Sequence, residues 1–201
     1  MKTKKLLYLG LIMPFVFWVS MAIAGELHGN YNPFVHTVSE LGAIGANSES
    51  FMAIAMLCCA VMTLCFVVGL WRVCTEMEVS IVPILATPAC AIMFAWTSIF
   101  HLGHPWHEVI GFVPLLLFIG AWLSVLLWKS RQLQNLRKLS LLSFLMMALI
   151  FLRFVPSFQQ HFPGLVQRFF HLGWSMWFVS MAFSFIKLLN AKYNYVPAIN
   201  D

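Results

Sequence analysis

Charged side chains are scarce in this chain: 12 Lys and Arg and 7 Asp and Glu make up 9% of 201 residues, where a soluble domain carries about a quarter. So few charges cannot clothe a water-exposed globular surface. The sequence also has no Gly-rich phosphate loop, no nucleophile elbow and no H-E-x-x-H, so the usual signatures of nucleotide, serine-hydrolase and zinc-protease sites are missing. The five cysteines, Cys58, Cys59, Cys65, Cys74 and Cys90, fall within or beside apolar runs and show no zinc-type spacing. They read as helix packing rather than as a disulfide framework. No repeat, low-complexity tract or linker divides residues 1–201, so a single domain is expected.

What the chain has in abundance is apolar length. Hydrophobic residues make up 61% of it, and crossing ~30 Å of hydrocarbon takes about 20 of them in a row. Six runs qualify, at about 6–24, 51–71, 80–100, 109–128, 139–155 and 164–187. Without water to pair the backbone, each must be helical. The fold class is therefore all-α, a polytopic membrane bundle of six transmembrane helices. The first run follows Met1-Lys-Thr-Lys-Lys and ends near Ala24. It exceeds the 7–15 apolar residues of a secretory signal core, so a retained helix is expected.

Basic residues near span ends favour the cytoplasm. Lys2, Lys4, Lys5, Arg72, Lys129, Arg131, Arg137, Lys138, Lys187 and Lys192 all fall on the side shared by the two termini. Both termini are thus expected in the cytoplasm, most simply across a bacterial cytoplasmic membrane. The net charge of +5 reflects this bias and attraction to anionic lipid, not a nucleic-acid partner. All seven histidines then map to the extracytoplasmic half: His28 and His36, then His101, His104 and His107, then His161 and His171. Glu26, Glu40, Glu49 and Glu108 join them, as do the two remaining arginines, Arg153 and Arg168. A shared polar chamber is expected at that end.

Three pieces stand out. The segment P-F-V-H-T-V-S-E-L-G-A at 33–43 lies in a loop of about 26 residues, long enough to be unusual without a function. Its apolar spacing predicts a short interfacial helix, closed by Gly42 at positive φ. Asn47 or Ser48 would cap the second span, with Glu49 suiting its positive end. The stretch H-L-G-H-P-W-H-E at 101–108 predicts a fourth helix starting at Pro105, with His104, His107, Glu108 and Gly111 on one face. On the last span, Gln167, Arg168, His171, Trp174 and Ser175 form a stripe expected to face the bundle interior. Arg153 either shares that role or snorkels to water. Trp18, Trp71, Trp106 and Trp128 sit where interface anchors are expected, and Pro83, Pro88 and Pro114 predict kinks.

The block V38-S-E-L-G-A43 between spans one and two, the H-x-x-H turn after span three and the Q167-R168 pair resemble an uncharacterised membrane family catalogued as domain of unknown function 998. More distantly, the layout is similar to the six-span damage-regulated autophagy modulators and a related GPI-lipid-remodelling protein. Their corresponding block is S-D-T-G-A-like, where Glu40-Leu41 stands here in place of Asp-Thr. The resemblance implies a six-span fold and a place to look for a site, but no reaction.

Four functions are compatible with these residues. In the first, Arg153, Arg168, His171 and Gln167 hold a membrane lipid's head group or another small anion through charge-assisted hydrogen bonds, with His104 and Glu40 completing the pocket. In the second, His101, His104, His107 and His171 supply ligands for a zinc-type hydrolase, with Glu40 or Glu108, and His104, as candidate acid–base groups. A third uses histidines from different spans as axial ligands of a haem. A fourth is a non-enzymatic pH sensor or scaffold. Membrane lipids are the partners expected; protein partners are left open.

Overall fold

The computed structural model describes residues 2–194; the single-domain reading of 1–201 extends over positions 1 and 195–201, which lie outside the described residues. Seven α-helices carry the architecture: α1 (Thr3–His28), α2 (Glu49–Glu76), α3 (Pro88–Ile99), α4 (Leu115–Leu127), α5 (Gln134–Ala148), α6 (Pro156–His161) and α7 (Pro163–Asn194). No strand occurs among the described residues. Short 3₁₀ segments extend three of the helices, giving six stretches long and apolar enough to cross a membrane: Thr3–His28, Glu49–Glu76, Val82–Ile99, His107–Leu127, Arg131–Phe154 and Pro163–Tyr193.

Prolines explain the extensions. Pro83 and Pro88 remove backbone donors, and span three divides into a 3₁₀ segment, Val82–Ala86, and α3. Pro114 separates the 3₁₀ segment His107–Phe112 from α4. The fourth helix therefore does not start at Pro105, and the expected single face is lost. A 3₁₀ turn advances each residue by about 120° rather than 100°. His107 points inward and is buried, while Glu108 is exposed and His104 lies in the preceding turn.

The last helix is the axis of the bundle. Within its apolar window 61% is buried, against 22% for Arg131–Phe154, which makes the fifth span peripheral. Helix α7 packs on α1 and α5, α1 on α2, α2 on α3, and α4 on α5. Trp174, Trp177, Phe178, Met181 and Phe185 of α7 are fully buried. With lipid outside and no hydrophobic drive between helices, close packing must hold the spans together. At Gly173 a Cβ would come within 2.7 Å of the Met147 nitrogen, so glycine there lets α5 and α7 touch backbone to backbone. Buried and half-buried tryptophans still find acceptors, as their N–H groups require: buried Trp177 donates to Ser124 Oγ at 3.1 Å and half-buried Trp18 to Ser175 Oγ at 3.1 Å. Trp128 corrects one expectation. It is fully buried and donates to the Ser80 carbonyl at 2.9 Å, so it plugs the core rather than anchoring an interface.

Three connections meet at one end: residues 29–48, 100–106 and 155–162. Ile44 N–H donates to Leu102 O at 2.9 Å and Leu165 N–H to Phe34 O at 3.0 Å. The opposite end holds Lys192, whose Nζ lies 3.4 Å from Glu76 Oε1.

Candidate functional site

The long loop is shaped by its own side chains before it meets the bundle. Thr37 and Glu40 form half of a capping box: Glu40 Oε1 accepts from both Thr37 N–H and Thr37 Oγ at 2.8 Å. The turn that follows, Ser39–Gly42, is a single 3₁₀ turn with Leu41 fully buried. Gly42 is not at positive φ; Gly29, Gly45 and Gly103 are. A 3₁₀ turn closes on an extended residue, here Ala43, and needs no left-handed cap. The buried Ser48 hydroxyl donates to Leu41 O at 2.6 Å. Ser48 is therefore the residue before α2 without capping it through its side chain.

The outer start of α7 then holds the loop down. Arg168 Nη1 donates to the carbonyls of Pro33 at 2.5 Å, His36 at 3.0 Å and its own helix's Gly164 at 3.0 Å. Nη2 donates to Tyr31 Oη at 2.5 Å, and the guanidinium also sits 5.4 Å from the Tyr31 ring centre. Tyr31 in turn donates toward Thr37 O at 2.9 Å. Burial pushes the Tyr31 phenol above its usual range, against the opposing pull of Arg168. Gln167 Oε1 accepts from Val38 N–H at 2.6 Å. Gly164 permits this approach, because a Cβ there would collide with the carbonyls of His36 and Pro33. Arg168, expected to bind ligand, is thus engaged in fastening the loop, and Glu40, expected to catalyse, in shaping it.

Beneath the fastened loop lies an inner cavity of about 80 Å³. Phe17, Met52, Met56, Met93 and Phe94 give it apolar walls, Val38, Ser39 and Gly42 roof it, and Thr97, His101, His107, Gln167 and His171 supply its polar atoms. Beside it is an outer vestibule of about 270 Å³, lined by Thr37, Glu108, Arg153, Gln159 and Pro163 among others. Ser39, Leu102 and Gln167 line both, so the two adjoin at the V38-S-E loop.

The histidines divide between wall and rim. His101 Nδ1 pairs with Glu49 Oε1 at 2.7 Å and Nε2 with Ser98 O at 3.0 Å. Both partners are acceptors, so no ring nitrogen is left for another group. Glu49 Oε2 accepts from Gly45 N–H at 2.7 Å, tying loop, α2 and the 101–106 turn together. His107 Nδ1 donates to Phe100 O at 2.7 Å, which leaves Nε2 as a lone pair. His171 is buried, and its Nδ1 accepts from Trp174 Nε1 at 3.0 Å. His104 accepts from Trp106 N–H at 3.1 Å, packs on Phe100 and does not line the inner cavity as these three do. His28 and His36 lie near Tyr31, and exposed His161 bonds its own helix at Ser157 O. Among the described residues no three His, Cys, Asp or Glu side chains form a metal-holding set. The quartet His101, His104, His107 and His171 is not brought to one point.

Arg153 differs from Arg168. It is exposed, lies 5.9 Å from the Phe154 ring centre and lines the vestibule with Glu108. Residues missed by the sequence reading are Tyr31, Thr37, Gly164 and Thr97. The T37-x-x-E40 spacing was a readable capping signature, and glycine directly after Pro163 at a helix start was a readable sign of close approach.

Six membrane-spanning stretches, the last of them the most buried, with a looped polar end, define an integral membrane protein of the multi-pass helical class. Within that class the chain belongs to the family described as protein of unknown function (DUF998), which it matches over residues 11–184. Comparison with curated proteins and with solved structures found no match.

Proposed function

We propose that the protein binds a membrane lipid by its head group, with the vestibule as the head-group site and the histidine-bearing end facing away from the cytoplasm. The observation that carries this reading is the junction of two unlike chambers at Ser39, Leu102 and Gln167. One is polar and bears Arg153; the other is walled by Met and Phe. Lipids are amphiphiles and need such a pair. Arg153 would take a phosphate or carboxylate, where a guanidinium is the best-matched donor. Glu108, on the same vestibule wall, would take a hydroxyl or ammonium group of the same head. Arg168 is not the anion ligand in this reading, because it lines neither chamber and its Nη groups are turned to the Tyr31 oxygen and three carbonyls. The excess of Lys and Arg at the opposite end supports the orientation.

The test is lipid binding to the purified protein, comparing oleoyl lysophosphatidylethanolamine with uncharged mono-oleoylglycerol. The wild type should favour the phospholipid, and Arg153→Gln should reduce that preference about tenfold, the worth of one partly exposed charge-assisted hydrogen bond. Equal binding of both lipids by wild type and variant would overturn the reading.

A further inference from the structure

We infer that the inner cavity holds a carbonyl oxygen of the bound lipid, the ester at the head of its acyl chain, on Nε2–H of His171. This rests on the lipid-binding reading above and specifies which lipids qualify. An indole N–H only donates, so the Trp174 bond at 3.0 Å fixes Nδ1 of His171 as a lone pair. A neutral ring then carries its proton on Nε2, and no protein group accepts that hydrogen. His171 is only 6% exposed and lines the inner cavity. Its ring is clamped, with Phe17 at 5.0 Å and Phe170 at 5.7 Å between centroids. Buried donors without acceptors are rare in native proteins, and this one cannot swing elsewhere.

Several of the cavity's other polar atoms are already engaged, and His107 Nε2, a lone pair, can only accept. The Thr97 hydroxyl donates to the carbonyls of Met93 and Phe94, at 3.0 and 3.2 Å. His101 has both nitrogens engaged, and the Gln167 carbonyl oxygen takes Val38 N–H. Among its Met and Phe walls the cavity offers a fully buried donor without an acceptor, His171 Nε2–H. A charged oxygen there would lose too much hydration, and no Lys or Arg side chain lines the cavity to offset it. A neutral ester oxygen suits the site. Position agrees as well. His171 lies one helical turn, about 6 Å, below Gln167, the residue shared with the vestibule. In a glycerophospholipid the ester carbonyl likewise sits a few bonds inward of the phosphate.

The experiment compares oleoyl lysophosphatidylethanolamine with its ether-linked analogue, which keeps head and chain but lacks the carbonyl. Wild type should bind the ester form roughly five- to tenfold more tightly, the worth of one hydrogen bond to a buried donor. His171→Phe should bind both forms alike. Since that variant depends on proper repacking, the ¹⁵N-histidine spectrum of the wild-type protein supplies a second readout. The Nε2–H resonance of His171 should move with the ester lipid and stay put with the ether. Equal affinities in the wild type with an unmoved resonance would overturn the inference, as a site filled by water alone would give. Arg153→Gln separates the two proposals. If it weakens ester and ether forms equally, the head-group reading stands whatever the ester preference. If it weakens neither, that reading falls, while the ester-to-ether ratio still decides His171. No binding of either lipid would overturn both.

Discussion

Arg168→Gln should free the long loop without unfolding the bundle. The guanidinium makes three contacts to the loop, at Pro33 O, His36 O and Tyr31 Oη. A buried hydrogen bond from a charged donor is worth about 1.5–3 kcal/mol net. These are exposed or only part-buried, so about 1 kcal/mol each is the better figure. Glutamine keeps one of the three, which leaves a loss of about 2 kcal/mol, or roughly 30-fold in the ratio of docked to released loop. Amide hydrogen exchange reads this directly. Val38 N–H and Leu165 N–H cross the seam, to Gln167 Oε1 and Phe34 O, and both should exchange roughly 30-fold faster in the variant. The amides around Phe178, in the buried core of α7, should not change. Arg168→Lys should fall between, because a single ammonium cannot fork to several carbonyls. Unchanged exchange at Val38 in Arg168→Gln would show that the guanidinium does not hold the loop.

Other outcomes follow from the same geometry. Gly164→Ala drives a Cβ into the His36 and Pro33 carbonyls and should mimic Arg168→Gln in the exchange assay, with wild-type protection counting against the seam. Burial shifts the Tyr31 phenol upward from its ordinary value of 10.0, so its neutral form favours docking. That contribution should be complete below about pH 10 and fall as pH rises through the folded-state value, seen as a fall in Val38 protection that Tyr31→Phe lacks. Glu49→Gln removes the carboxylate shared by His101 and Gly45, and should speed exchange at Ile44 N–H, which bonds Leu102 O. Single cysteines placed at Phe34 and Gln159 should react with a membrane-impermeant thiol reagent from outside intact cells, and one at Gln132 should not. The reverse pattern would invert the orientation.

Much of the fold was legible because the bilayer leaves the sequence few options. Six apolar runs had to be helices, and their centres agree with the structure even where ends move. The boundaries failed where proline intervened. A 3₁₀ stretch at His107–Phe112 has the hydropathy of a helix and a different turn angle, which is why His104, His107 and Glu108 scatter. The site was legible in place rather than in role. Gln167, Arg168 and the V38-S-E block do meet, but as two faces of a seam. Side chains that fasten a polar loop to a helix start and side chains that hold a ligand are the same residue types, and only distances separate them. His171 carried no sequence sign of its unmet donor, since that depends on Trp174 lying at 3.0 Å.

The chamber junction offers the most direct test. Ser39 lines both cavities, and Ser39→Trp places an indole between them. Native mass spectrometry should show oleoyl lysophosphatidylethanolamine on the wild-type protein and none on the variant, with Val38 exchange unchanged to show the loop still docked. Wild-type lipid occupancy in that variant would contradict a ligand lying across the two chambers.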